Sequence, residues 1–109
     1  MTVQGLATAC NLKALTCPDP EREVDGVYIG DLLSWVMGKA GEGNAWITIM
    51  SNVNVIAVAT LSDVACVIFA EGVMPDADLI TLANAKGVNL LSSPLSAYET
   101  AIKIHGVQQ

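Results

Sequence analysis

The chain has 109 residues, 52% hydrophobic and 15% charged, with 11 acidic against 5 basic side chains for a net charge of −6. That length predicts one domain, residues 1–109, with a single core that needs no staples. The acidic balance argues against nucleic acid, whose phosphates must be neutralised by Lys and Arg, and against an anionic membrane surface; Lys13, Arg22, Lys39, Lys86 and Lys103 are scattered rather than clustered.

Taken in chain order, Thr2 to Cys10 reads as a helix capped by Thr2, with Val3, Leu6, Ala7 and Cys10 near helical spacing. Leu12 to Thr16 is a short strand. Cys17 to Glu23 is a polar loop, because Pro18 and Pro20 cannot both sit inside a regular element. Val24 to Ile29 reads as a strand containing Gly26. Gly30-Asp31 opens a helix whose buried face is Leu32, Leu33, Val36 and Met37, with Asp31 complementing the helix dipole and Trp35 in the core or against a partner. Gly38, Gly41 and Gly43 end it.

The stretch from Ala45 to Gly72 reads as strand, turn, helix, strand. Trp46 to Met50 is rich in β-branched and aromatic side chains and predicts a buried strand. Ser51 and Asn52 supply turn chemistry, and Asn54 caps the helix after them. Val55 to Asp63 is apolar on nearly every side, which predicts a helix packed on the sheet or along a dimer seam. Ala65 to Ala70 is continuously apolar, as expected of a strand covered on both faces. The 18 residues from Ala45 to Ser62 carry no charge, but Ser51, Asn52 and Asn54 lie mid-run and no Lys/Arg cluster flanks them, so a membrane span is not the preferred reading.

Asp76 then caps a helix carrying Leu79, Ile80, Leu82 and Ala83, closed by Lys86 and Gly87. Val88 to Leu91 is a short strand. The final helix begins either at Ser93-Pro94 or at a capping box, Ser96 to Glu99, and packs through Ala97, Ala101, Ile102 and Ile104. Two early strands followed by alternating helix and strand predict an α/β layered domain with a largely parallel sheet.

Cys10, Cys17 and Cys66 are an odd set without CxxC spacing, and His105 is the only histidine, too few ligands for a structural zinc site. Free cysteines and the lack of a charged, apolar leader place the chain in the cytoplasm. The apolar surplus predicts a homodimer. No motif calls for a cofactor.

The strings VYIGDLLSWVMGKA, AWITIMSNVNVIAVATLSDVACVIFAEG and GVNLLSSPLSAYETA, in this order, resemble the DRTGG domain family. That family is similar to the N-terminal domain of HPr kinase/phosphorylase, and its fold is shared with the N-terminal domain of Mur ligases. The resemblance spans nearly the whole chain, most firmly Val27 to Ala101, although the naming pentapeptide is absent and Ser51-Asn52-Val53-Asn54 occupies a comparable turn. It implies a stand-alone, non-catalytic regulatory module that senses a ligand or acts through a partner enzyme or other protein. The alternatives are a purely structural dimerisation subunit of a larger enzyme complex and a small enzyme of another type. The sequence argues against kinase chemistry, since it lacks a phosphate loop: Gly38-Lys39 has Leu33 where the first glycine belongs and Ala40 where a hydroxyl belongs.

Ligands of parallel α/β sheets favour the carboxyl ends of strands, and the helix N-termini there attract anions. The sequence therefore places a small polar or phosphorylated ligand at Ser51, Asn52, Asn54, Gly72, Ser92 and Ser93. For an enzyme, Asp31, Asp63, Glu71, Asp76 and His105 are the candidate acid/base groups, each also explained as a cap, loop or peripheral helix residue.

Overall fold

The computed structural model describes residues 1–108. Ten elements succeed one another: α1 (Val3–Ala9), β1 (Lys13–Thr16), β2 (Val27–Ile29), α2 (Leu33–Lys39), β3 (Ala45–Thr48), α3 (Asn54–Ser62), β4 (Cys66–Phe69), α4 (Ala77–Lys86), β5 (Leu90–Ser92) and α5 (Ala97–Gln108). The strands form one sheet in the order β1-β5-β4-β3-β2. The β2–β3, β3–β4 and β4–β5 ladders are parallel, and β1 runs antiparallel to β5. The sheet is thus mixed.

Two apolar layers sandwich the sheet. Val36 of α2, Val55, Ile56, Val58 and Ala59 of α3, and Leu79 and Ala83 of α4 pack with Trp46, Val67, Phe69 and Leu90. Val3 and Leu6 of α1 and Ile104 of α5 pack with Ala45, Ile47, Cys66, Ile68 and Leu91 on the other face. Period-two alternation in β3, β4 and β5 sends neighbouring side chains to opposite layers. This explains why Cys66 to Phe69 is apolar without a break. The three crossovers β2-α2-β3, β3-α3-β4 and β4-α4-β5 all step the same way across the sheet, so a constant right hand puts their helices on one face. After β5 the chain returns to the face that α1 covers, and α5 packs there.

Several helix boundaries are set by local chemistry. Thr2 caps α1, its Oγ1 accepting from the Gly5 amide at 3.0 Å. Asp76 caps α4, accepting from the Leu79 amide at 2.9 Å, and Gly87 ends that helix in the left-handed region at φ 73°. At α5 the capping box is the start that forms: the Glu99 amide donates to Ser96 Oγ at 3.1 Å and the Ser96 amide to Glu99 Oε1 at 3.4 Å.

Other expectations are corrected. The strand predicted from Val24 starts only at Val27, because Gly26 sits at φ 80°. α2 buries Val36 alone, while Leu32 and Met37 are exposed and Trp35 is 61% exposed. Trp35 is therefore not a core residue; Lys39 Nζ lies 5.9 Å from its ring centroid. α3 is not buried all round. Val55, Ile56, Val58 and Ala59 meet the sheet, but Leu61 is 71% exposed. Ile102, placed on the packing side of α5, is also exposed. Asn54 is the first residue of α3 rather than its cap.

No helix among the described residues is long and apolar enough to cross a membrane.

Candidate functional site at the carboxyl edge of the sheet

Thr48, Phe69 and Ser92 are in register across β3, β4 and β5, so the segments after them emerge at one edge of the sheet. That edge collects all six residues marked from sequence, but it treats them differently.

After β3 the chain is open. Thr48 Oγ1 donates to Asp31 Oδ1 at 2.8 Å, and the Ile49 amide donates to the same oxygen at 3.0 Å. The carboxylate of Asp31 thereby ties the β2–α2 connection to the end of β3. It caps no helix: the N-cap of α2 is Leu32, which has no side chain able to accept. Asn52 then makes a local turn, its Oδ1 accepting from the Asn54 amide at 2.9 Å and its carbonyl from the Val55 amide at 3.1 Å. The N-cap position of α3 is Val53, which offers no side-chain acceptor; the one first-turn amide met by a side chain is that of Asn54, through Asn52. Ser51 is half-buried, and Asn52 and Asn54 are exposed.

After β4 and β5 the edge is stitched shut. The β4–α4 and β5–α5 connections leave for opposite faces of the sheet, the arrangement that opens a crevice in doubly wound folds. Here the Glu71 amide donates to the Leu95 carbonyl at 2.8 Å and the Gly72 amide to the Ser93 carbonyl at 2.9 Å. Both residues take positive φ, 60° and 71°, to aim those amides. Gly72 does so without cost, whereas Glu71 has a Cβ that the left-handed region disfavours. Ser93 is fully buried, with its Oγ 2.8 Å from Thr100 Oγ1 and accepting from the Leu95 amide at 3.2 Å. Ser92 is buried in the ladder between Lys13 and Phe69. Of the six residues, Ser92 and Ser93 thus form the floor, and Ser51, Asn52, Asn54 and Gly72 face outward.

One residue at this edge escapes a reading by sequence. Because β1 is antiparallel, its first residue, Lys13, pairs with Ser92 and brings an exposed cation to the edge. Lys13 is separated from the β3 turn by β5 and β4, roughly 14 Å at one strand spacing per step. That span suits an extended anion better than a single phosphate.

Three of the candidate acid/base carboxylates, Asp31, Asp63 and Asp76, are engaged in structural hydrogen bonds. Asp63 lies at the opposite edge, where Arg22 Nη1 donates to its Oδ1 at 3.0 Å and Arg22 Nη2 to its carbonyl at 2.9 Å. Asp76 is occupied as a cap, and Asp31 as a tie between loops. His105 lies on α5, lining the groove beside β2. Burial pushes the Cys66 thiol up to about 12 and raises Cys10 and Cys17 as well, which suppresses the nucleophilic thiolate form. Among the described residues no three His, Cys, Asp or Glu side chains gather where a metal could be held.

The model of the DRTGG domain matches residues 6–107. The chain belongs to the DRTGG domain family. No curated protein matches it. Among solved structures, this DRTGG domain is similar to the CBS and DRTGG domains of the regulatory region of Clostridium perfringens pyrophosphatase, which was solved with its activator diadenosine tetraphosphate. The TM-score is 0.73 at 15% identity, covering 94% of this chain and 45% of the other. At that identity the likeness concerns the fold, and the present chain spans less than half of the pyrophosphatase region.

Proposed function

We propose that this DRTGG domain, read as one unit over residues 1–109, is a non-catalytic regulatory module of the cytoplasm. It senses a small polar or phosphorylated ligand and acts through protein partners. The observation that carries this reading is the asymmetry of the carboxyl edge: a stitched floor at Ser92 and Ser93 beside an open turn at Ser51, Asn52 and Asn54, with Lys13 on the far side. Gly72 stands between them, with no heavy atom within 4 Å of where a Cβ would be. The regulatory region of similar fold holds a dinucleoside polyphosphate. Carried to this chain, that makes a nucleotide polyphosphate the first ligand class to try. We also read the fold as the one shared with the N-terminal domains of HPr kinase/phosphorylase and of Mur ligases. A kinase label has no support in the sequence, which lacks the phosphate loop.

The test is thermal melting with diadenosine tetraphosphate and, separately, inorganic phosphate. A ligand at 100 times its Kd adds about 2.7 kcal/mol, which moves the midpoint of a domain this size by roughly 10 °C or more. The shift should shrink in Asn52→Ala and in Lys13→Ala. Equal shifts in wild type and both variants would remove the site, and no shift with either compound would remove this ligand class.

A second reading, a structural dimerisation subunit, is favoured by a separate observation. Leu32, Trp35, Met37, Val53 and Leu61 are all exposed on the α2–α3 side. A groove of about 410 Å³ beside them is lined by Val53, Ala57, Leu61, Leu82 and Lys86. In this reading a second copy covers the face. Leu61→Asp should then give a folded monomer whose melting temperature falls below that of the wild-type dimer and no longer rises with protein concentration. Val58 is no probe of the seam, since it is buried against the sheet and Val58→Asp would unfold the chain. Wild type sedimenting as a monomer at every accessible concentration would end this reading.

A further inference from the structure

The two edges of the sheet are built differently. β1 begins with Lys13 and leads into Pro18 and Pro20, the kinds of residue that blunt an open edge. β2 is Val27-Tyr28-Ile29 between Gly26 and Gly30, with no charge or proline inside it. The Ala45 amide donates to the Gly26 carbonyl at 3.0 Å and the Gly30 amide to the Ile47 carbonyl at 3.2 Å. Those bonds turn alternate peptide groups of β2 toward β3. By the same alternation, the amides and carbonyls of Val27 and Ile29 point to the open side.

That open side is a groove. A cavity of about 470 Å³ lies between β2 and α5, lined by Val27, Ile29, Ala101, His105 and Gln108. Its β2 wall carries more apolar surface than the core requires: Val27 is half-buried and Ile29 is 48% exposed. An edge strand facing a helix across an apolar groove is the geometry in which an extended peptide adds to a sheet, main chain supplying affinity and alternate side chains specificity.

Charge selects the occupant. The ionisable residues bounding β2 in sequence are Asp25 and Asp31, both exposed. An antiparallel second copy would set Asp25 of each chain against Asp31 of the other, a like-charge clash at both ends. A segment with basic residues at its ends would meet a carboxylate at each. We propose that the β2–α5 groove is a docking site for an extended segment of a partner protein. Its alternate side chains are apolar, it is bracketed by Lys or Arg, and it joins the five-stranded sheet as an added edge strand. The site is separate from the strand-end turn and does not depend on a ligand there.

The probe is an acetylated, amidated peptide, Lys-Val-Thr-Val-Lys, titrated into the full chain and monitored by amide NMR and hydrogen exchange. Saturable shifts should centre on Val27, Ile29 and Ala101, with slowed exchange of the Val27 and Ile29 amides. The counterpart Glu-Val-Thr-Val-Glu should bind about tenfold more weakly or worse, and the double variant Asp25→Asn, Asp31→Asn should erase most of that preference. Asp31→Asn keeps the Oδ1 acceptor used by Thr48 and Ile49. Ile29→Lys, at an exposed side chain, should keep the melting temperature and abolish binding. Three results would overturn the proposal: shifts centred at the strand-end turn or on α3, no saturable binding of either peptide, or peptide-free protection of Val27 and Ile29 that rises with protein concentration. The last would mean that a second copy takes the edge.

Discussion

The turns after β3 and after β5 leave the same edge of the same sheet, with only β4 between their strands, yet they handle their polar groups in opposite ways. After β5, Ser93 and Leu95 place hydroxyl and carbonyl groups where Thr100, Glu71 and Gly72 meet them, and Ser93 is buried. After β3, Asn52 satisfies only its own neighbours, Asn54 and Val55, and its side chain faces water. A strand end is therefore no ligand site by position alone. What matters is whether its donors and acceptors are already spent. Where loops diverge, a crevice is expected, and in this chain two main-chain hydrogen bonds close it.

Substitutions can break this contrast one turn at a time. The largest effect is expected for Ser93→Val. It puts a methyl where the hydroxyl was and strands Thr100 Oγ1 and the Leu95 amide in a buried place, at a cost of about 2–3 kcal/mol in denaturant unfolding. Because Ser93 lies in the floor, the ligand-induced melting shift should survive. Glu71→Gly tests the stitch from the other side. Glycine takes φ 60° without a Cβ penalty, so the variant should gain up to about 1 kcal/mol. A loss instead would show that the Glu71 side chain contributes more than its backbone strain costs. Asn52→Ala has the smallest effect on stability, a few tenths to about 1 kcal/mol for one exposed local hydrogen bond. It should nevertheless show the larger loss of ligand response. If Ser93→Val removed the response and Asn52→Ala kept it, the roles of the two turns would be reversed.

Legibility tracked how local the deciding interaction is. The ends of α4 could be read directly, because Asp76 and Gly87 act on residues within one turn. The start of α5 had two local solutions, and Ser93 chose between them by turning its hydroxyl to Thr100, seven residues on. α3 resisted because Val55 to Leu61 is apolar nearly all round, so no period distinguishes the side against the sheet from the side that leaves Leu61 in solvent. Asp31 read as a helix-dipole residue because its partners, Thr48 and Ile49, belong to another strand end. Lys13 could not be placed at the carboxyl edge until the direction of β1 against β5 was known.

By itself the sequence determined the succession of helices and strands, the caps of α1 and α4, the apolar identity of β4 and the lack of a phosphate loop. These depend on side-chain periodicity and on contacts a few residues long. Tertiary structure alone decided the antiparallel β1, the closure of the β4–β5 crevice, the burial of Ser93 and the bare β2 edge. Each of these depends on which backbone groups, far apart in the chain, are hydrogen-bonded to one another. Of the six ligand residues that the sequence marked, all of which meet at one edge, only those of the β3–α3 turn and Gly72 face outward.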